Sequence, residues 1–283
     1  MIKAIHLARM GRYSPMTFSS FQSWLLENTK ISARMKKSLP YITAQSELKW
    51  LPVRQRARNV YRRFCRAMPL QLIEGTVEFM GHKVHCKTGV LIPRWETEEW
   101  VSQLISSLSP RDGNLAVLDL CTGSGCIAIA MAKACEKFNV VAADLDGNCV
   151  ELAQRNAIEN NCSILVKQMD VRDSLLYFKE ASFDVITCNP PYIPESSFNR
   201  MDRGVKWWES KASLISGSDG LDLVKHVISI ASKLLKKSGG VLVFEFDGAH
   251  QVESIKKHSA ALFNSIQFHR DSAGKYRWCR MEK

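Results

Sequence analysis

From residue 92 onwards, the chain alternates short apolar runs with segments of helical periodicity. The apolar runs are "AVLDL" at 116–120, "NVVAA" at 139–143, "SILVK" at 163–167, "FDVITC" at 183–188 and "GVLVFEF" at 240–246. Helical patterns separate them, notably at 124–137, 148–161 and 219–237. This alternation predicts an α/β fold with a mostly parallel sheet covered on both faces. Two further strand candidates, near 264–269 and 276–281, have no helix between them, which predicts an antiparallel pair at the sheet edge.

The region before the sheet has a different pattern. Residues 38–75 carry helical periodicity broken by prolines, which predicts a small helical domain. Within it, "RQRARNVYRRFCR" at 54–66 has six arginines and no acidic residue. This run is either a solvated helix face or an electrostatic patch for RNA or an RNA-bound partner. Next, "TVEFMGHKVHCK" alternates about Gly81-His82, which predicts a β-hairpin linker over 76–91, before a main domain at 92–283.

The first 37 residues are basic, carrying +6 of the formal net charge of +11. They are rich in Ser and Thr, hold a single acidic residue and lack a continuous apolar stretch. This composition is typical of an organelle-import presequence, although a frayed terminus or part of the first helix remains the structural alternative. No apolar run approaches the roughly 18 residues that a membrane-spanning helix needs, so no membrane span is expected.

Nine cysteines are an odd number, and no two of them form a C-x-x-C pair. This argues against a disulfide framework or a zinc ribbon and favours a reducing compartment. His82, His85 and Cys86 have some metal-like spacing, but they lack a second pair of ligands. No metal site is therefore expected.

"VLDLCTGSGCIAIAMA" has the pattern of a strand, a glycine-bearing turn and a helix. Gly123 and Gly125 would let the backbone approach a ligand closely. The G-x-G-x-x-G spacing of dinucleotide sites fails here, and no G-K-[ST] follows as in a P-loop. Asp144, at the end of the second strand, can accept both hydroxyls of a ribose. Together these features predict a nucleoside ligand, and Asp170, after the third strand, would either meet an adenine amino group or cap a helix.

"ITCNPPYIP" breaks a buried strand with two prolines, which lack the N–H that a sheet ladder needs. The predicted result is a stiff loop in which the side-chain oxygen of Asn189 and the carbonyl of Pro190 point the same way. Two adjacent acceptors suit a planar –NH2 group, and Tyr192 would add a flat face for an amide or a base. The structural alternative is a turn that only closes the strand.

This order of motifs resembles the class I S-adenosylmethionine (SAM)-dependent methyltransferases, with a Rossmann-like seven-stranded mixed sheet. The resemblance implies that Asp144 holds the cofactor ribose and that Asn189 lies beside the reactive methyl group. The other implied cofactor contacts are Cys121, Thr122, Gly123, Ser124, Gly125, Asp170 and Val171. Cys121 stands where the family usually has a first glycine, which leaves its backbone contact possible and gives its thiol no role.

A closer resemblance covers roughly residues 45–283. The motifs that carry it are "PLQLIEG", "GVLIPRWETEEWV", "VLDLCTGSG", "NPPYIP", "GSDGLDLVKHVI", "FEFDGAHQ" and "RDSAGKYRW". In this order they are similar to the protein-(glutamine) methyltransferases of class I peptide chain release factors. The resemblance implies methylation of the glutamine of the Gly-Gly-Gln tip, with the helical domain gripping the release factor. The implied substrate-binding residues are Asn189, Pro190, Pro191, Tyr192, Arg94 and Glu96.

Arg94, Glu96 and Glu98 match the family segment that lines the active site, and a helix start with acid in its first turn is a compatible interpretation. Trp95 and Ser210 depart from the prolines of many bacterial members. "RWETEEWV" is more similar to the mitochondrial branch, which agrees with a presequence and a matrix location. Two competing hypotheses remain, namely N-methylation of adenine or guanine in RNA or DNA, and a non-catalytic module that binds RNA.

Overall fold

A computed structural model describes residues 67–108 and 114–283. The chain divides into two compact units, Met1–Glu74 and Gly75–Lys283, which are considered separately. In the first unit, the described part contains one short helix, α1 (Leu70–Glu74). The basic segment 1–37, the arginine run 54–66 and most of the predicted helical domain lie outside the described residues, so the proposed domain boundaries stay predictions.

The second unit begins with the predicted hairpin, formed by β1 (Thr76–Phe79) and β2 (His82–His85). Its turn lies at Met80 and Gly81, one residue earlier than the sequence pattern indicated. Both residues have positive φ, 50° and 77°, which is the sign pattern of a type I′ turn. Glycine tolerates this conformation without strain, and Met80 adopts it as a non-glycine residue.

A seven-stranded sheet forms the centre of this unit, in the order β5-β4-β3-β6-β7-β9-β8. Its strands are β3 (Leu115–Leu120), β4 (Phe138–Asp144), β5 (Leu165–Gln168), β6 (Val185–Cys188), β7 (Val241–Glu245), β8 (Ser265–Arg270) and β9 (Tyr276–Glu282). β3 to β7 run parallel, whereas β9 is antiparallel to both β7 and β8. The predicted fold class and the antiparallel edge pair are therefore confirmed.

Helices cover the sheet on both faces. The longer ones are α2 (Trp95–Leu108), α3 (Cys126–Ala134), α4 (Gly147–Glu159), α7 (Asp222–Leu234) and α8 (Ala249–Ser259). The short elements are α5 (Ser174–Tyr177), α6 (Arg203–Lys206) and the 3-10 turns Val171–Asp173, Glu195–Arg200 and Lys211–Ser213. Successive strand residues point to opposite faces, so Val185 packs with α2 and α3 while Ile186 packs with α7 and α8. Both faces of β6 are thus buried, as its continuous apolar run predicted.

α8 was not among the predicted helices. Its buried residues are Gln251, Ile255 and Ser259, of which only Ile255 is strongly apolar. Periodicity of apolar residues is the main sequence signal for a helix. This signal is absent in α8 because two of its three buried side chains are polar. The buried Gln251 has a role in the site described next.

Candidate active site

The carboxyl ends of the parallel strands surround a cavity of about 450 Å³. This volume falls within the range of roughly 300 to 1,000 Å³ of small-molecule sites. The predicted site residues that line it are Arg94, Cys121, Thr122, Gly123, Ser124, Asp144, Asp170, Val171, Asn189 and Pro191. Those that do not line it are Glu96, Glu98, Gly125, Pro190 and Tyr192. Most of the predicted cofactor contacts are thus brought together, whereas Pro190 and Tyr192 of the predicted acceptor set are not among the lining residues.

The turn between β3 and α3 forms one wall of the cavity. The backbone N–H of Thr122 donates to the carbonyl of Ala143 on β4 (3.0 Å), and that of Gly125 donates back to Thr122 (2.9 Å). Gly125 has a φ of 82°, and a Cβ there would lie 3.0 Å from the Cβ of Ala153 on α4. Glycine is therefore required both by the backbone and by the close helix. Cys121, the residue at the family's usual glycine position, has a φ of 55°.

Asp119 lies beneath this turn and was not predicted as a site residue. Its carboxylate accepts hydrogen bonds from the hydroxyls of Thr122 (2.6 Å) and Thr187 (2.8 Å), which joins the turn to β6. The side chain is fully buried, and this burial raises its pKa to about 7. The available sequence signal was a lone acid within the apolar run "AVLDL".

Asp144 ends β4 and faces the cavity. One carboxylate oxygen accepts from the backbone N–H of Gly123 (2.9 Å) and the other from that of Asp146 (3.0 Å). Burial raises the pKa of Asp144, although the two backbone donors oppose this shift. Because a carboxylate offers about four lone-pair positions, Asp144 keeps capacity for a further hydroxyl donor. This geometry fits the predicted ribose contact.

Asp170 caps the 3-10 turn Val171–Asp173 by accepting from the backbone N–H of Arg172 (2.9 Å). Its carboxylate also receives the Arg172 guanidinium, which lowers the pKa of Asp170. Of the two roles that the sequence left open for Asp170, the structure shows the cap. Asp170 and the buried Val171 still line the cavity, so their contact with an adenine ring stays a prediction.

At the acceptor end, a hydrogen-bond network lies behind Asn189. The Nδ2 of Asn189 donates to Oγ1 of Thr97 (3.2 Å), and Thr97 donates to Oε2 of Glu245 (2.7 Å). Trp100 Nε1 and the Tyr192 hydroxyl also donate to Glu245, at 2.9 and 2.8 Å. Glu245 is 1% exposed. Burial of Tyr192, and secondly the charge of Glu245, hold the pKa of Tyr192 well above its ordinary value. The hydroxyl of Tyr192 thus anchors the loop from behind.

The backbone of the loop is fixed by α8 and by the "GSDG" segment. Gln251 Nε2 donates to the carbonyl of Tyr192 (2.9 Å), while its Oε1 accepts from the N–H of Asp247 (2.8 Å). Gly220 approaches the same carbonyl so closely that a Cβ would come within 2.2 Å of it. Two of the resemblance motifs, "GSDGLDLVKHVI" and "FEFDGAHQ", therefore hold the NPPY loop in place.

The residues of the segment "LIPRWETE" contact different parts of the protein. Arg94 pairs with Glu209, whose side chain is completely buried, and thereby joins residues 89–94 to the segment that follows α6. Glu96 and Glu98 lie in the first turn of α2, where acids favour the helix dipole. Glu98 accepts from the N–H of Met80 (2.7 Å), which ties α2 to the hairpin turn. Thr97, which was not among the predicted site residues, is the member of this segment that reaches Asn189.

Two of the three candidate metal ligands near the hairpin have other partners. His85 contacts Glu159 (2.5 Å), and the thiol of Cys86 faces the carbonyl of Val84. Over residues 67–108 and 114–283, no three His, Cys, Asp or Glu side chains form a group suited to a metal ion. The eight cysteines in the described part of the chain are free thiols. No helix among these same residues is long and apolar enough to span a bilayer.

Two solved structures illustrate the fold. The 16S rRNA methyltransferase RsmC of T. thermophilus, solved with AdoMet and guanosine, matches with a TM-score of 0.55 and 20% identity. That match covers 74% of this chain and 49% of the other. The hMettl16 catalytic domain in complex with an RNA hairpin matches with a TM-score of 0.51 and 16% identity, covering 82% of both chains. At these identities the likeness shows the methyltransferase fold alone.

Sequence comparison is more specific. Residues 100–201 match the family described as "Methyltransferase small domain". The "Release factor glutamine methyltransferase" of Thermodesulfovibrio yellowstonii is 35% identical over 220 residues, which cover 77% of each chain. That of Streptococcus pneumoniae is 32% identical over 236 residues, which cover 79% of this chain and 82% of the other. Because this similarity spans most of both sequences, the chain belongs to the release factor glutamine methyltransferase family.

Proposed function

We propose that the protein transfers the methyl group of SAM to the side-chain amide nitrogen of the glutamine in the Gly-Gly-Gln motif of a class I peptide chain release factor. This activity supports translation termination. The observation that carries the proposal is the position of Asn189 on the wall of a cavity that also contains Asp144 and the glycine turn. Membership of a family whose named relatives act on release factor glutamine gives the substrate.

The cavity fits the cofactor in size and in polar groups. The turn at 121–125 offers backbone close to a ligand, Asp144 offers acceptor positions for a ribose, and Val171 offers an apolar surface. When bound, SAM would supply an electrophilic methyl group and would leave as S-adenosylhomocysteine. The amide nitrogen that receives the methyl group would release one proton to water. The roles of the individual residues remain predictions.

An amide nitrogen is a poor nucleophile because its lone pair is delocalised into the carbonyl. Asn189 Oδ1 and the Pro190 carbonyl would accept the two amide protons and hold the nitrogen in line with the methyl group. Such positioning can supply on the order of 7 to 11 kcal/mol at best. Hydrogen bonds that strengthen as the nitrogen becomes positive would supply a few more. Pro191 and the buried Pro190 keep the loop stiff while this happens.

The decisive experiment uses methyl-labelled SAM with release factors that carry either the natural tip glutamine or an alanine in its place. We expect label on the glutamine protein alone, with the site identified by mass spectrometry. A parallel incubation with RNA and DNA tests the competing hypothesis of adenine or guanine methylation. Label on nucleic acid, or on the factor without its tip glutamine, would contradict the proposed substrate. Normal binding of the release factor without any methyl transfer would favour the non-catalytic module.

We also propose that the protein acts in the mitochondrial matrix on a mitochondrial release factor. Support comes from the composition of residues 1–37, which carry +6 of the net charge of +11, and from "RWETEEWV". Residues 1–37 fused to a fluorescent protein should direct it into mitochondria, and replacing their Lys and Arg residues with Gln should leave the fusion outside. Equal distribution of the two fusions would contradict a presequence. Contact of the arginine run 54–66 with RNA stays a separate prediction.

A further inference from the structure

The network behind Asn189 contains donors and acceptors whose directions are fixed by chemistry. Glu245 lies at the carboxyl end of β7, is 1% exposed, and receives three hydrogen bonds. The indole N–H of Trp100 can only donate, and it meets Oε2 of Glu245 at 2.9 Å. The same oxygen lies 2.7 Å from Oγ1 of Thr97. In this contact the Thr97 hydroxyl donates and the carboxyl oxygen of Glu245 accepts, so the single hydroxyl proton of Thr97 is committed to Glu245.

This assignment determines what Thr97 can offer to its other neighbour. With its proton committed, the hydroxyl oxygen of Thr97 retains only lone pairs and can therefore only accept. The amide of Asn189 must then turn its Nδ2 towards Thr97, where the separation is 3.2 Å. The opposite orientation would bring Oδ1 of Asn189 against the Thr97 oxygen with no proton between them. Two acceptors facing each other in a partly buried site are disfavoured.

We propose that Thr97 and Glu245 are positioning residues that fix which end of the Asn189 amide faces the acceptor substrate. The inference rests on the proposed function, in which Asn189 accepts from the amide of the target glutamine. The network leaves Oδ1 as the acceptor of Asn189 that faces no other acceptor, because an amide nitrogen donates but does not accept. A side chain with an –NH2 group can donate to this oxygen, whereas a glutamate side chain cannot. Thr97 and Glu245 thus select for a carboxamide over a carboxylate at the methylated position.

The test replaces Thr97 with valine, which keeps the shape of the side chain and removes the oxygen. We expect kcat to fall on the order of 100-fold, the loss typical of a misplaced reacting group. KM for the release factor should stay near the wild-type value, because the remaining contacts with the substrate are unchanged. Affinity for S-adenosylhomocysteine, measured by calorimetry, should also be preserved. The melting temperature should fall only modestly, because Glu245 loses one donor but keeps Trp100 and Tyr192. Thr97→Ser keeps the hydroxyl and should recover most of the lost kcat.

A matched control removes another hydroxyl from the same helix. Ser102 is exposed on α2, away from Asn189, and Ser102→Ala should leave kcat unchanged. A wild-type kcat in the Thr97→Val enzyme would overturn the proposal. So would a Thr97→Ser enzyme as slow as the valine variant, because that result would show that a hydroxyl at this position does not restore the rate. If the wild-type enzyme itself methylates no glutamine, the proposed function fails instead, and the two failures are thereby distinguished.

A measurement on the wild-type protein covers the case in which Thr97→Val does not fold. In protein labelled with 15N at asparagine, the Nδ2 signals of Asn189 are identified by their loss in Asn189→Ala. Their exchange with solvent should be slower than that of the exposed Asn199 and Asn264, because Thr97 holds one of the protons. Exchange as fast as at those exposed asparagines would overturn the assigned orientation.

Discussion

Arg94 and Glu209 are 115 residues apart in the sequence, yet one guanidinium nitrogen lies 2.5 and 2.7 Å from the two carboxylate oxygens. The carboxylate is completely buried, while the arginine remains about one third exposed. Burial raises the pKa of Glu209, and the charge of Arg94 opposes this shift. The pair joins two segments that both contribute to the cavity wall. The position of these segments therefore depends on the buried carboxylate of Glu209 keeping its partner Arg94.

Arg94→Met should lower the free energy of unfolding by about 3 kcal/mol, because it leaves a buried carboxylate without its partner. Urea denaturation at pH 7.5 measures this change. The double variant Arg94→Met with Glu209→Met serves as the control, since removing both charges should restore much of the stability. A single variant as stable as the wild-type protein would show that Glu209 finds water or another partner.

Asn189→Ala should abolish methyl transfer while affinity for SAM stays within a few-fold of the wild-type value. The alanine removes the side-chain acceptor but leaves Asp144 and the glycine turn untouched. Rates with labelled SAM, together with calorimetric titration of the cofactor, separate the two effects. Retained turnover in this variant would remove Asn189 from the mechanism.

The sequence predicted the parts of the site that follow from strand topology. Asp144 ends one apolar strand and Asn189 follows another, and parallel strands bring their carboxyl ends to one edge of the sheet. The apolar runs were clear because both faces of β3, β6 and β7 are buried, so that almost every residue in them is apolar. The strands and their mostly parallel direction were therefore predictable before any contact was known, whereas their order in the sheet was not.

The supporting residues could not be predicted in this way. Thr97 and Glu245 are 148 residues apart, and Gln251 reaches Tyr192 across 59 residues. Their roles arise from tertiary packing, which no local pattern specifies. The signal that existed was a polar residue within an apolar pattern, as at Asp119 and Glu245. A buried charge needs partners, so such positions identify functional or structural networks without naming their members.

Asp144→Ala should weaken SAM binding at least about tenfold, which corresponds to about 1.4 kcal/mol. The substitution removes the acceptors predicted for the ribose and also the acceptors for the N–H groups of Gly123 and Asp146. Calorimetric titration with SAM measures the effect. Glu253→Ala, which removes an exposed carboxylate on α8, is the control and should bind normally. Unchanged affinity after loss of Asp144 would contradict the ribose contact.

Asp119→Asn should make stability less sensitive to pH. In the folded protein the pKa of Asp119 is raised by burial to about 7 from an ordinary value of 3.8, so the folded state holds a proton that the unfolded chain releases. The resulting stability is fully present below the unfolded pKa and is lost as pH rises through 7. This contribution to stability is on the order of 4 kcal/mol.

Asparagine preserves the shape without titrating, so urea denaturation from pH 4 to pH 8 should show the wild-type protein losing stability relative to the variant. Parallel stability curves for the two proteins would show that Asp119 is already ionised at pH 4 in the folded state.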